Sequence, residues 1–170
     1  MNTNSVDFFN NHKILPLQQN LELIIAVWSI GNPENMGQII RLAHNVGAKK
    51  VLFVNAKINF RESKIKKTAG FSYEQMGWEI ISISDFRNLL NKDYKLVVLE
   101  TCEESKSIYS TNFPDKIILL AGSESHGIPS EVISKSDLPV HIPLPGGCKS
   151  MNVSHAISVA AFEWYRQKVQ

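Results

Sequence analysis

Cysteine is scarce in this chain, and the two cysteines do not stand in a pattern that binds metal. Cys102 and Cys148 have no partners at the short spacings typical of zinc sites. The five histidines, at positions 12, 44, 126, 141 and 155, are also scattered. Because so few cysteines do not make the disulfide framework of a small secreted domain, we expect a cytoplasmic protein without bound metal.

Long hydrophobic runs are also missing. Crossing a bilayer takes about 18 or more apolar residues, whereas the run at residues 23–28 has only the length of a strand. The N-terminus lacks the basic region and apolar stretch of a secretory signal. A net charge of +2 does not by itself indicate a nucleic-acid binder, so contact with a polyanion must depend on local clusters or on dimerisation. We expect no membrane partner.

The chain has enough apolar residues for one domain with a substantial core, since 44% of its 170 residues are hydrophobic. Residues 1–20 show little periodicity and predict an N-terminal extension or docking arm, followed by a single domain at residues 21–170. Short apolar runs predict strands buried on both faces. These runs are residues 23–27, 51–54, 80–83, 96–99, 117–121 and, more briefly, 140–142.

Helical periodicity lies between several of these runs. Apolar residues at positions 36, 39, 40, 43 and 46 share one face of a helix that ends at Gly47. A second stripe runs from Val153 to Trp164, after polar residues that can cap it. Strands that alternate with helices predict an α/β fold, with a mostly parallel sheet sandwiched by helices. Ligands bind such sheets at the carboxyl ends of strands, here the loops after residues 27, 99, 121 and 142.

The first of these loops carries Asn32, Asn35 and Gly37, followed by Arg41 on the helix. Asn35 can cap the helix, and Gly37 allows a ligand or another chain segment to approach the backbone closely. An ordinary turn between a strand and a helix, with Arg41 facing solvent, explains the same residues.

The second loop, residues 122–127, contains Glu124 between Gly122 and Gly127. A serine-hydrolase elbow requires Gly-x-Ser-x-Gly, and the pattern fails around Ser125 because Ser123 stands where glycine is needed. Glu124 therefore either orients backbone amides or a polar group of a ligand, or caps a helix that begins near Pro129.

The third loop, residues 142–154, joins a strand to the helix that begins near Val153. Its glycines expose backbone, and Ser150, Asn152 and Ser154 lie at the helix N-terminus, where N–H groups are unpaired. Neither of the common glycine-rich phosphate motifs is present, which disfavours a nucleotide-phosphate site and a Rossmann-type enzyme.

Taken in this order, the three loops resemble the signature motifs of the SPOUT superfamily, in its SpoU/TrmH branch of RNA ribose methyltransferases. The resemblance spans roughly residues 21–166 and rests on all three motifs at strand ends. The matching residues are Asn32, Asn35, Gly37, Arg41 and Gly47; Gly122, Glu124 and Gly127; and Ile142, Pro143, Ser150, Asn152 and Val153.

The resemblance implies an S-adenosylmethionine-dependent RNA 2′-O-methyltransferase whose C-terminal part forms a deep trefoil knot, a rare exception to general topology. It also implies a homodimer and a cofactor bound in the knot. The implied cofactor-binding positions are Leu99, Glu100, Leu120, Ala121, Gly122, Ile142, Leu144, Ser150 and Met151.

The resemblance further assigns catalysis to Arg41, supported by Asn35, Glu124, Ser150 and Asn152. A guanidinium is essentially never deprotonated in proteins. We therefore expect Arg41 to stabilise a developing alkoxide and hold the adjacent phosphate, while Asn35 and Glu124 hold the loop and Arg41. Ser150 and Asn152 are expected to fix the cofactor loop and the ribose.

The RNA substrate is suggested by a further resemblance, to small single-domain enzymes that methylate the wobble ribose of tRNA. Their basic stretch before an Ala-Gly pair is matched by residues 61–71, where cations precede Phe71 and Tyr73. Such residues suit single-stranded RNA, although a solvated helix face explains them equally well. Ribosomal RNA, docked by residues 1–20, and a non-catalytic RNA-binding protein of the same fold remain the alternatives.

Overall fold

The structure is a computed structural model that describes residues 4–12, 15–56, 61–90, 93–123 and 127–169. Within these residues, seven strands form one sheet in which every pairing is parallel. The strands are β1 (Glu22–Trp28), β2 (Lys50–Val54), β3 (Trp78–Ile81), β4 (Lys95–Leu99), β5 (Lys106–Ser107), β6 (Lys116–Gly122) and β7 (Leu138–His141). Their spatial order is β3-β2-β1-β6-β4-β7-β5.

Helices cover both faces of this sheet. In the described part of the chain, none of them has the length and apolar character needed to cross a bilayer. They are α1 (Ser5–Asn11), α2 (Pro33–Val46), α3 (Glu62–Ala69), α4 (Ser72–Gln75), α5 (Ile83–Leu89), α6 (Ser130–Ile133) and α7 (Val153–Val169), with a 3-10 turn at Ile108–Ser110.

The central strands are buried on both faces because their side chains alternate between two cores. Leu23 and Ile25 of β1 belong to the core that contains residues of α2 and α7. Ile24 and Ala26 point the other way and share a core with Phe86 of α5. Such strands read as continuous apolar runs, and the prediction of an α/β fold with a mostly parallel sheet is confirmed.

One predicted strand was misplaced, and two elements were not predicted. The third strand ends at Ile81, and Ser82 instead caps α5 by accepting a hydrogen bond from Asp85 N. This strand lies at the sheet edge and is only half buried. Strand β5 was missed because its two residues carry no apolar run. Residues 5–11 form a helix that the sequence did not predict, and none of its residues is buried.

The strand order brings the three polar loops together. Strand β6 lies between β1 and β4, and β7 lies on the other side of β4. Trp28 therefore pairs with Gly122, and Leu99 pairs with both Ala121 and Val140. All four strands are parallel, so their carboxyl ends meet at one edge of the sheet.

Gly37 lets α3 cross α2 at backbone contact. A Cβ atom at Gly37 would stand 2.7 Å from Ile65 O, 2.7 Å from Thr68 Cβ and 3.0 Å from Ala69 N. The close approach that the sequence suggested is therefore made by another chain segment. This contact sets where α3 lies beside the first turns of α2.

The Gly37→Ala variant should be less stable than the wild type. Overpacking costs about 1–3 kcal/mol, which exceeds the gain of at most about 1 kcal/mol from the better helix propensity of alanine. Denaturant unfolding measures the difference. Gly31→Ala is the control, because nothing lies within 4 Å of the Cβ added there. Equal stabilities for the two variants would show that the helices separate at no cost.

Candidate active site

A cavity of about 250 Å³ lies at the carboxyl ends of β4, β6 and β7. Its wall combines backbone and apolar side chains with a few polar groups, as small-molecule sites do. The lining residues are Leu99, Glu100, Thr101, Ala121, Gly122, Ser123, Gly127, His141, Ile142, Leu144, Lys149, Ser150, Met151, Val153 and Ala156.

Every position that the sequence implied for cofactor binding lines this cavity except Leu120. Strand alternation turns the Leu120 side chain into the opposite core, where it is fully buried. The residues that sequence reasoning missed are immediate neighbours of predicted ones, such as Thr101 and Ser123, or belong to α7, such as Ala156. The sequence signal for Thr101 and Ser123 is that they follow the end of a strand. This signal marks a whole loop and does not identify single residues.

Two glycines form the tightest part of the wall. A Cβ at Gly122 would stand 2.6 Å from Gly127 C, and Gly127 has φ of 59°, which favours glycine. Ser123 and Gly127 form an isolated bridge, so the chain doubles back here. Ser123 Oγ is buried and has no hydrogen-bond partner among the described residues. Glu124 lies outside the described residues.

Lys149 holds the third loop in a closed shape. Its Nζ donates to Leu144 O at 3.1 Å and to Gly146 O at 2.6 Å. Ser150 and Met151, which follow it, are exposed at the cavity wall. The loop thus returns on itself before it enters α7.

Asn152 joins this loop to the start of α2. Its Oδ1 accepts a hydrogen bond from Ser154 N at 2.9 Å, which caps α7, and its Nδ2 donates to Asn35 Oδ1 at 3.1 Å. Asn35 is 5% exposed. A buried amide oxygen needs a donor, and Asn152 supplies one across 117 residues of sequence.

A second polar contact lies beside the first. Ser154 Oγ is 2.6 Å from Gln38 Oε1 and 2.6 Å from Asn152 Oδ1, and its single proton serves one of them at a time. The cap of α2 is Asn32, whose Oδ1 accepts from Glu34 N at 2.8 Å and Asn35 N at 3.4 Å. The prediction that Asn35 caps α2 was wrong, because Pro33 already begins the helix and places Asn35 inside its first turn.

Arg41 lies on the exposed side of α2 and is not part of the cavity wall. It makes no hydrogen bond or ion pair with any other residue that the structure describes. Since α2 turns by about 100° per residue, Gly37, Arg41 and His44 lie on one stripe of the helix. Arg41 is therefore tied to the cavity through α2 and the contact between Asn35 and Asn152.

The described side chains form no cluster of three or more His, Cys, Asp and Glu residues that could hold a metal ion. The polar side chains at the cavity come from four separate segments, and they are Glu100 and Thr101, Ser123, His141, and Lys149 and Ser150. What the cavity offers is hydrogen bonding and apolar contact.

A model of the SpoU rRNA methylase family matches residues 22–162. The chain is 29% identical over 150 residues to an uncharacterized tRNA/rRNA methyltransferase, YfiF, of Escherichia coli O157:H7, covering 86% of this chain and 42% of that protein. It is 28% identical over 149 residues to the 23S rRNA (guanosine-2′-O-)-methyltransferase RlmB of Blochmanniella floridana, covering 87% of this chain and 59% of that one. The chain thus spans about half the length of these curated relatives.

A solved structure also shares the fold. It was described in connection with the 2-OH methylation of C/U34 on tRNA. It superposes on this chain with a TM-score of 0.77 at 26% identity. The match covers 87% of this chain and 97% of that one.

Replacing Asn152 with alanine should destabilise the protein more than replacing Asn32. Asn32→Ala removes only a helix cap, which costs about 1 kcal/mol. Asn152→Ala removes a cap and also a donor to the buried Asn35 oxygen, which adds about 1–3 kcal/mol. Denaturant unfolding of both variants measures the difference.

A double-mutant cycle with Asn35→Ala and Asn152→Ala isolates the bond between them. We expect a coupling energy of about 0.5–3 kcal/mol. A coupling near zero, together with equal effects of Asn152→Ala and Asn32→Ala, would mean that the two helix starts are held by other contacts.

Proposed function

The chain belongs to the SpoU rRNA methylase family, and we propose on this basis that it is an S-adenosylmethionine-dependent RNA 2′-O-methyltransferase. The observation that carries the proposal is the cavity at the strand ends. The family resemblance implied nine cofactor positions from sequence, and all but Leu120 line this one cavity.

The cavity suits S-adenosylmethionine in its chemistry. Leu99, Ile142 and Leu144 supply apolar surface for an adenine ring, while the Glu100 carboxylate can accept hydrogen bonds from ribose hydroxyls. Ser123 also lines the cavity, and its buried Oγ has no hydrogen-bond partner among the described residues. The absence of a Cβ atom at Gly122 lets the backbone of Gly127 pack against it and close the wall there. When bound, the cofactor supplies a methyl group activated by its sulfonium.

Arg41 would act on the RNA. Displacement at a sulfonium methyl needs little acid catalysis, so the protein must orient the ribose hydroxyl and favour loss of its proton. The Arg41 guanidinium stabilises negative charge on that oxygen and binds the adjacent phosphate, and the proton passes to phosphate or water. Its exposure, and its lack of an acidic partner among the described residues, support this role.

Asn35 and Asn152 are positioning residues in this proposal. Their hydrogen bond holds the helix that carries Arg41 against the loop that carries Ser150 and Met151. Ser150 fixes the cofactor loop. Glu124 retains its proposed part in holding Arg41.

We also propose the trefoil knot, the homodimer and a cytoplasmic location. The sheet order supports the knot, since β6 and β7 insert on either side of β4 before α7 returns to pack against α2. The homodimer rests on the family resemblance, and the location on the RNA substrate and the free cysteines Cys102 and Cys148.

Transfer RNA is the substrate we propose, because the relative that concerns C/U34 of tRNA matches over nearly its whole length. Purified protein with labelled cofactor should methylate total tRNA from a deletion strain in preference to ribosomal RNA from the same cells. Mapping the modified nucleotide identifies the position. Labelling of ribosomal RNA alone would replace tRNA with rRNA in the proposal and leave the reaction class intact.

The Arg41→Ala variant should lose methyl transfer by about 10²–10³-fold, the usual effect of removing one charge-stabilising donor. Its affinity for S-adenosylmethionine, measured by calorimetry, should stay within a few-fold of wild type because Arg41 does not line the cavity. Arg87→Ala is the control, since Arg87 lies on α5 and pairs with Glu131 at 2.6 Å on the other face. Near-normal turnover by Arg41→Ala would contradict the assignment.

A further inference from the structure

Phe71 is the most exposed large hydrophobic residue in the described chain, with 77% of its surface accessible. Its ring lies beside His44, with centroids 6.0 Å apart and planes at 32°. His44 Nδ1 is 3.0 Å from Ser72 Oγ, and Ser72 is buried. An aromatic ring is thus presented to solvent with a hydrogen-bonded imidazole beside it.

This ring borders the same surface as Arg41. Gly37, Arg41 and His44 fall within an arc of about 60° on α2. Gly37 contacts Thr68 at one end of this stripe, and His44 contacts the Phe71 and Ser72 pair at the other. Arg41 therefore lies between two points at which the α3 and α4 segment touches α2.

The neighbouring surface is basic after its internal ion pairs are taken into account. Lys66 pairs with Glu74 at 2.7 Å, which raises the pKa of Lys66. Glu62 accepts a hydrogen bond from the Tyr73 hydroxyl and keeps its negative charge, which three further cations outnumber. The remaining cations of the stretch have no acidic partner in the described part of the chain and are exposed. They are Arg61, Lys64 and Lys67.

We propose that Phe71 is a stacking platform for an unpaired base of the substrate RNA, next to the nucleotide whose ribose Arg41 engages. This inference rests on the proposed function and deepens it by naming how the RNA is held. Single-stranded RNA is recognised by aromatic rings on which bases stack and by cations along the backbone. Arg61, Lys64 and Lys67 supply the cations, and their charge favours RNA over a protein partner.

The test compares Phe71→Ala and Phe71→Trp with Tyr109→Ala in the full-length protein. Tyr109 is 60% exposed and follows β5, at the sheet edge opposite β3. Binding is measured with total tRNA and with a single-stranded RNA of about 12 nucleotides, a length within the range of known single-strand sites. Because Phe71 is exposed, its replacement should leave the fold intact.

Phe71→Ala should weaken RNA binding by about ten- to a hundredfold, the effect of losing one stacked base. KM for RNA should rise with kcat little changed, while affinity for S-adenosylmethionine is unaffected. Phe71→Trp should retain binding, and RNA should quench the fluorescence that this variant gains over wild type. Tyr109→Ala should behave as wild type.

Wild-type RNA affinity in Phe71→Ala, or an added fluorescence of Phe71→Trp that RNA leaves unchanged, would overturn the platform while leaving the methyltransferase proposal standing. A change of oligomeric state in Phe71→Ala, detected by sedimentation, would overturn it in favour of a contact between protein copies. Failure of the wild type to bind S-adenosylmethionine is a separate result, which would defeat the proposed function and not RNA stacking.

Discussion

One hydrogen bond between the buried Asn35 and the partly buried Asn152 fixes the relation between the two halves of the site. Asn35, in the first turn of α2, and Asn152, at the cap of α7, share a hydrogen bond across the carboxyl edge of the sheet. Desolvated amides are costly to leave unpaired, so this bond resists sliding of one helix start past the other. The cavity loop ends at Asn152, and Arg41 lies further along α2 than Asn35. The spacing between the two halves is therefore set by one side chain from each of them.

The two halves of the site differ in what they are made of, since the cavity is formed largely by backbone and the surface around Arg41 by side chains. The shape of the cavity wall depends on a position without a side chain, because a Cβ at Gly122 would collide with the backbone of Gly127. The proposed RNA surface consists of long, exposed side chains on or beside helices. Arg41, Arg61, Lys64 and Lys67 have no acidic partner in the described structure, whereas Lys66 pairs with Glu74. A rigid wall suits a small ligand of fixed shape. Long cationic side chains suit a polymer whose phosphates must be met at several points.

Most of the strands could be predicted from the sequence, because parallel strands buried on both faces are continuous apolar runs. The strands β1, β2, β4 and β6 and the helices α2 and α7 follow directly from such runs and from helical periodicity. Strand β3 was placed too far along the chain because its apolar run continues past Ser82 into α5. The order of the strands left no local signal at all, since it depends on which runs pair in space. The set of residues around the cavity came instead from the family resemblance.

The site was readable at the level of loops and less so at single residues. The family resemblance placed Leu120 among the cofactor positions, but alternation along β6 turns its side chain to the other core. Asn35 was expected to cap α2, whereas its amide oxygen reaches another helix. Both corrections follow local rules, namely the alternation of side chains along a strand and the start of α2 at Pro33. The pairing of Asn35 with Asn152 has no local signal, because the two residues are 117 positions apart in the sequence.

Gly37 has a consequence for how such a site can diversify. Because α3 packs directly on the α2 backbone at this position, the basic stretch and Phe71 are held at a fixed place beside α2. Any side chain at Gly37 would push α3 away from α2 and move the cations of the basic stretch away from Arg41. Substitutions at the exposed positions of α3 and α4, by contrast, change the side chains on this surface without moving the helices. Under the proposed function, the residues that contact RNA could therefore vary within α3 and α4 while Arg41 and the cavity stay unchanged.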